Sequence, residues 1–181
     1  MRRSHRGFLL VPLTLAASLA ALPDRASVVS SGPGGFVVRE EVRFAGPPAA
    51  AWKHLVDVAS WWDPRHTYSG RSSNLSLALR PGGCWCEGLA NGGFARHLEV
   101  VLAVPDETLR LAGGLGPLQG SGATGALTFT LRSDPAGVTT VTAEYAVVGY
   151  SQEGLTSLAA AVDAVLAEQM ARYARNPEAR P

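Results

Sequence analysis

LTSLAAAVDAVLAEQMARYAR, residues 155–175, decides the fold. Leu155, Leu158, Val162, Leu166 and Tyr173 recur at helical spacing, with Val165 and Met170 beside them, so one apolar stripe runs along a helix of several turns. Alanine fills many other positions and raises helix propensity. Gly154 breaks the strand-like stretch before it, and Pro177 prevents continuation after it. Arg172 and Arg175 fall in the last turn, where the helix dipole favours positive charge. Almost everything upstream reads as strand. A lone amphipathic helix has to bury its stripe, and a sheet is the only surface this chain offers. The expected fold class is α+β: a curved antiparallel sheet of about seven strands wrapped around the long C-terminal helix, with a cavity between them.

The stretches upstream support this. Residues 36–44 alternate as a strand, Pro47-Pro48 ends it, and 49–58 reads as a short helix opened by proline. SWWDPRHTYSG, 60–70, is a second short helix or a structured loop. Six further strands are expected over 75–79, 84–89, 94–104, 108–112, 126–131 and 138–148. Leu75, Leu77 and Leu79 share a face; so do Leu109 and Leu111; Leu127, Phe129 and Leu131; and Val141, Ala143, Tyr145 and Val147. Their alternates are mostly small or polar, as an antiparallel sheet covered on one side requires. With a hairpin turning at Asn91-Gly92, the inward residues of the neighbouring pair are Trp85, Leu98, Val100 and Leu102.

The chain has 181 residues, enough for one ordinary domain. Residues 1–26 read as a signal peptide: Arg2, Arg3 and Arg6 precede an apolar run from Phe8 to Leu22, and small residues follow. The run is shorter than the roughly 20 residues of a membrane span, and Pro12, Thr14 and Ser18 interrupt it. Cleavage is expected between Ala21 and Ser27, giving an exported, periplasmic or secreted protein with no stable membrane insertion. Residues 27–34 read as a linker, 35–175 as the domain and 176–181 as a tail. Without residues 1–26 the chain carries 12 basic and 14 acidic residues, a net charge of −2. No basic patch remains, which argues against a nucleic-acid partner.

Chemistry-bearing residues are few. Cys84 and Cys86 are the only cysteines. In a regular strand, residues two apart lie too far from one another for a disulfide, so a bridge demands distorted backbone. The hairpin register expected above sets Cys86 opposite His97 and Cys84 near Glu99, four groups able to ligate zinc on the face away from the helix. The simpler reading, plain strand thiols, is preferred, and no metal is expected. Glu87 and Arg96 would face each other on the helix side, as a cross-strand ion pair or with Glu87 at the cavity mouth orienting a ligand. His66 and Tyr68 sit in the aromatic 60–70 loop, where a histidine could do acid–base work. The glycine-rich run 113–125 lacks the Lys-Ser/Thr ending of a phosphate loop, and neither a nucleophile elbow nor a zinc-protease helix is present. No cofactor is expected.

Four stretches carry a family resemblance: FAGPPAAAW (44–52), WWDPRHTYSG (61–70), PGGCWCE (81–87) and GLGPLQG (114–120). With the order strand, two short helices, six strands, long helix, they resemble the helix-grip fold of the START-like, or SRPBCC, superfamily. Within it they look like the polyketide-cyclase-like and heat-shock-ATPase-activator-like branch. The resemblance spans roughly residues 35–175. It implies a cavity between sheet and helix that takes a small hydrophobic or amphipathic molecule, with the 113–125 loop as an apolar lid through Leu115, Pro117 and Leu118. On this reading the ligand contacts are Trp62, His66, Tyr68, Trp85, Glu87, Leu115, Leu118, Phe129, Tyr145, Leu158 and Val162. Two alternatives stand beside it. One is a polyketide cyclase/dehydratase-like enzyme that moves protons through Glu87, His66 or Tyr145. The other is a co-chaperone-like interaction domain.

Overall fold

Period-two alternation builds one sheet, and turn residues fold it back on itself at each step. The computed structural model describes residues 27–152 and 154–175. Its strands are β1 (Ser27–Gly32), β2 (Gly35–Phe44), β3 (Leu75–Leu77), β4 (Cys84–Gly88), β5 (Phe94–Val104), β6 (Thr108–Gly113), β7 (Ala123–Ser133) and β8 (Thr139–Gly149). They form a single antiparallel sheet in the order β1-β2-β8-β7-β6-β5-β4-β3. The helices are α1 (Pro48–Val56), α2 (Val58–Trp61) and α3 (Thr156–Ala174).

The expected seven strands become eight because the 27–34 stretch, read as a linker, instead forms β1 and its turn. Val28 pairs with Val38, and Gly32 with Gly35, so β1 covers what would be the free edge of β2. The signal-peptide reading of residues 1–26 and the 176–181 tail lie outside the described residues. Among the described residues, no helix is long and apolar enough to cross a membrane.

The inward face is the one alternation gave for β6, β7 and β8: Leu109, Leu111, Leu127, Phe129, Leu131, Val141, Ala143, Tyr145 and Val147 are all buried. Leu79 and Leu102 are corrections. Leu79 lies beyond the short β3 and is exposed. Leu102 follows a register shift between Val100 and Leu102 that turns it outward.

The β4–β5 pair departs most from the expected register. Cys84 and Cys86 form a disulfide, the arrangement that a regular strand forbids. Their Cα atoms are 5.3 Å apart, less than the roughly 6.6 Å that two residues of extended strand span. The backbone reconciles the two with a bulge: Trp85 pairs with Leu98, but Cys86 pairs with Arg96, and His97 is the extra residue. His97 and Leu98, adjacent in sequence, are therefore both buried. Cys84 pairs with Glu99 as expected, while Cys86 does not oppose His97. The zinc-ligand set is not assembled, because its thiols are joined and its imidazole has turned to the other face.

Helix α3 closes the sheet. Ala159, Asp163, Leu166, Met170 and Tyr173 are its buried column, packed chiefly toward β2. Leu158, Val162 and Val165 lie to one side and are only half-buried. Its C-terminal turns also hold the two short helices. The Tyr173 hydroxyl donates to Ala51 O at 2.8 Å, and Arg172 Nε donates to Trp61 O at 2.9 Å. Gln169 Oε1 accepts from the Asp63 N–H at 2.8 Å.

Candidate functional site

Between α3 and the β3–β4–β5 end of the sheet lies a cavity of about 490 Å³. Each element supplies a wall. From α3 come Leu158, Val162, Val165 and Leu166; from the sheet, Leu75, Trp85, His97 and Tyr145. The 113–122 segment forms a 3-10 turn over Gly116–Ser121 and contributes Leu115, Pro117, Leu118 and Ser121. The loop after α2 contributes Trp62, Arg65, His66, Thr67 and Tyr68. The walls are largely apolar and aromatic, and Trp62 and Trp85 meet edge to face with centroids 4.8 Å apart.

Of the residues expected to contact a ligand, Trp62, His66, Tyr68, Trp85, Leu115, Leu118, Tyr145, Leu158 and Val162 line this cavity. Glu87 and Phe129 do not. Phe129 is packed within the core, 1 % exposed. Glu87 lies behind the wall, 1 % exposed, and does not face Arg96. The bulge carries Arg96 outward, where it pairs with Glu99 at 2.8 Å.

What Glu87 holds instead is the loop and the histidine. Its carboxylate accepts from the Tyr68 N–H at 3.1 Å, from the Ser69 N–H, and from His97 Nε2 at 2.9 Å. Burial alone would push this carboxyl up. Donors from Ser69, Tyr68 and His97 outweigh burial and hold it below its ordinary value, so Glu87 is an anion at neutral pH. The Tyr68 ring stacks on the His97 imidazole, 6° from parallel with centroids 5.6 Å apart.

Several other polar groups of the wall are engaged by the protein itself. Tyr145 Oη donates to Gly113 O at 2.8 Å and accepts from the Leu115 N–H at 3.0 Å. Burial pushes its hydroxyl up to about 12. Tyr145 thus ties the 113–122 segment to the sheet. The ring lies against Gly125, where a Cβ would come within 2.7 Å of it. Tyr68 Oη donates to Gly116 O at 3.0 Å, which ties the same segment to the loop after α2. His66 Nε2 contacts Glu168 on α3 at 3.1 Å. Arg65 binds Asp63, which Arg172 also contacts at 3.2 Å. The hydrogen bonds from the Arg65 side chain and backbone lead in lowering the Asp63 carboxyl to about 2.

His97 is the functional candidate that alternation assigned to the wrong face. One bulged residue reverses the parity of a strand, and the Cys84-x-Cys86 spacing was the trace of it, since a bridge there requires such a bulge. Arg65 and Thr67 also line the cavity, whereas the sequence reading gave them no role within the 60–70 helix or loop.

No family model and no curated protein matches the sequence. Solved structures do. DynU16, a protein of the dynemicin biosynthetic locus, superposes on 79% of this chain with a TM-score of 0.54 at 22% identity, and this chain spans 47% of its length. An uncharacterized protein from Rhizobium leguminosarum matches 77% of this chain and 95% of its own, with a TM-score of 0.54 at 17% identity. Ms6760 from Mycobacterium smegmatis matches 80% and 92%, with a TM-score of 0.54 at 16% identity. The chain has the helix-grip fold. At these identities the likeness extends to the backbone fold alone. Within that helix-grip frame, the sheet, α3 and the 113–122 lid enclose the cavity described above.

Proposed function

We propose that this helix-grip domain binds one small, predominantly apolar molecule in the cavity beneath α3. The observation that carries the reading is the cavity itself: about 490 Å³, within the range of small-molecule sites, walled by Trp62, Trp85, Leu115, Leu158 and Val162. Half-buried Leu158 and Val162 face this space while the neighbouring column of α3 packs tightly. The test uses N-phenyl-1-naphthylamine, an uncharged probe that fluoresces in apolar surroundings. The parent protein binds it at one site. Val162→Phe places a ring in the cavity, so probe binding falls sharply while stability changes little. If the parent takes up no probe, and Val162→Phe costs the 1–3 kcal/mol typical of an overpacked core, the cavity reading is wrong.

We also propose that the protein works outside the cytoplasm. The support is the Arg2–Leu22 pattern together with the Cys84–Cys86 bridge, since disulfides persist in oxidising compartments. Protein isolated from its own host then has an intact mass starting between Ala21 and Ser27. A mass that retains Arg2 to Leu22 removes this proposal.

A further inference from the structure

We infer that the Arg65 guanidinium marks the polar end of the cavity and that its Nη1 donates to the carboxylate of an otherwise apolar guest. The inference rests on the cavity-binding reading above and adds to it the chemical class of the ligand.

Among the described residues lining the cavity, Arg65 alone carries a permanent charge and none is acidic. A guanidinium holds five N–H donors in a rigid fork. Three of these are taken. Nε and Nη2 donate to Asp63 at 3.2 and 3.0 Å, and Nη2 also donates to Glu168. Nη1 makes no hydrogen bond to any described residue, so two directed donors remain. The side chain is 71 % exposed, which leaves it within reach of a guest. Both carboxylates beside it are committed. Asp63 also accepts from the Arg65 backbone N–H at 2.8 Å and pairs with Arg172 at 3.2 Å, while Glu168 Oε2 meets His66 Nε2 at 3.1 Å. Arg65 and Arg172 balance Asp63 and Glu168, so the site selects by the direction of its donors rather than by net charge. Asp63 and Glu168 act as positioning residues: they hold the fork before a guest arrives, so little freedom is lost on binding.

Helix α3 sets where this end lies. Leu158, Val162 and Val165 border the cavity on successive turns, and Glu168 is the next position on that column. Glu168 therefore brings Arg65 to the end of the apolar stripe, with His66 fixed beside it. A guest lying along the stripe, between it and the Trp62 and Trp85 rings, directs one end to Arg65. The remaining polar groups of the wall serve elsewhere. Tyr145 and Tyr68 hydroxyls donate to Gly113 O and Gly116 O, and Thr67 and Ser121 hydroxyls to Pro64 O and Leu118 O. The Trp62 indole donates to His66 O at 3.0 Å. His97 gives Nε2 to Glu87, and its Nδ1 is buried out of a guest's reach. Ser151 precedes α3, whose first residue, Thr156, is about 18 Å of helix from Glu168, so it belongs to the opposite end. An ionised acceptor makes hydrogen bonds roughly twice as strong as a neutral one, and a carboxylate matches a guanidinium edge in shape.

Three naphthalenes of similar size test this: 2-naphthoate, 2-naphthamide and 2-naphthylmethylammonium, with affinities read by displacement of N-phenyl-1-naphthylamine. Transfer into an apolar space favours the uncharged amide. With Arg65 as anchor, the parent prefers the carboxylate to the amide by about fivefold or more, the worth of one well-directed exposed ion pair, and holds the ammonium most weakly. Arg65→Met keeps an apolar stem without the donors and reverses the order of carboxylate and amide. Nitrogen-15 spectra of the arginine side chains give a second readout: 2-naphthoate moves the Arg65 Nη1 resonance and the ammonium does not. A parent that binds the carboxylate no better than the amide, with the fluorescent probe still bound, overturns the anchor and leaves the cavity reading standing. So does preference for the ammonium, an unmoved Nη1 resonance at saturating carboxylate, or an Arg65→Met protein that keeps the parent's order. If the fluorescent probe does not bind the parent, the cavity reading falls and the anchor falls with it. Should Arg65→Met not fold, the parent's ranking and spectrum decide.

Discussion

Removing one oxygen from Tyr145 tests how the lid is attached. The side chain is 1 % exposed, and its hydroxyl bridges Gly113 O at 2.8 Å and the Leu115 N–H at 3.0 Å. Tyr145→Phe keeps the ring against Gly125 but strands a carbonyl and an amide. A buried polar group left unsatisfied costs about 1–3 kcal/mol. Leu115 is half-exposed, so water regains part of the loss there, and the expected total is about 2 kcal/mol. For a domain of this size that is a fall in Tm of about 4–8 °C. Urea unfolding should show a lower midpoint at unchanged slope, since the surface exposed on unfolding is the same. Hydrogen exchange adds the local signature: the Leu115 amide loses protection by more than the global change accounts for. A Tyr145→Phe protein within about 0.5 kcal/mol of the parent, with the Leu115 amide equally protected, would refute the tie between lid and sheet.

Asp63 governs an acid limb of stability. Its carboxyl is held at about 2, below the ordinary 3.8, by Arg65 first. The unfolded chain therefore binds a proton more readily than the folded one, and the stabilisation is whole above 3.8 and is lost as pH falls toward 2. Asp63→Asn should lower stability at neutral pH and flatten that acid limb; an unchanged slope between those pH values would count against the assignment. The bridge in β4 is open to a simpler measurement. Protein unfolded without reductant should show no reactive thiol, and two after reduction; two thiols at the outset would restore the regular strand.

The long helix was legible because Leu158, Val162, Leu166 and Tyr173 recur over several turns, and such a period has no other reading. The inward faces of β6 to β8 were legible for the same reason at period two. What escaped was everything that depends on a single inserted residue. His97 and Leu98 are both buried because β5 bulges, and no pattern of alternation announces two inward neighbours. Glu87 was placed on the correct face, yet its partner was taken to be Arg96, because the register was counted straight through the bulge. The β1 strand escaped for another reason. Val28-Val29 followed by serine and glycine is poor in strand signal, and its place is set by the edge of β2 rather than by its own propensity. The nine cavity-lining residues found from sequence are mostly aromatic or apolar residues of the loop, lid and helix, where local composition carries the information.

Helix α3 divides its duties between two neighbouring columns. Ala159, Leu166, Met170 and Tyr173 fasten it to the sheet, whereas Leu158, Ala161, Val162 and Val165 border the cavity. Leu166 alone serves both. Substitutions on the cavity column reshape the space without disturbing the packed one, so their cost to stability is small and their effect on what fits is large. On the binding role proposed above, a change of guest needs changes along only one stripe of one helix. Only at Leu166 are the demands of the fold and of the cavity's contents bound to one side chain.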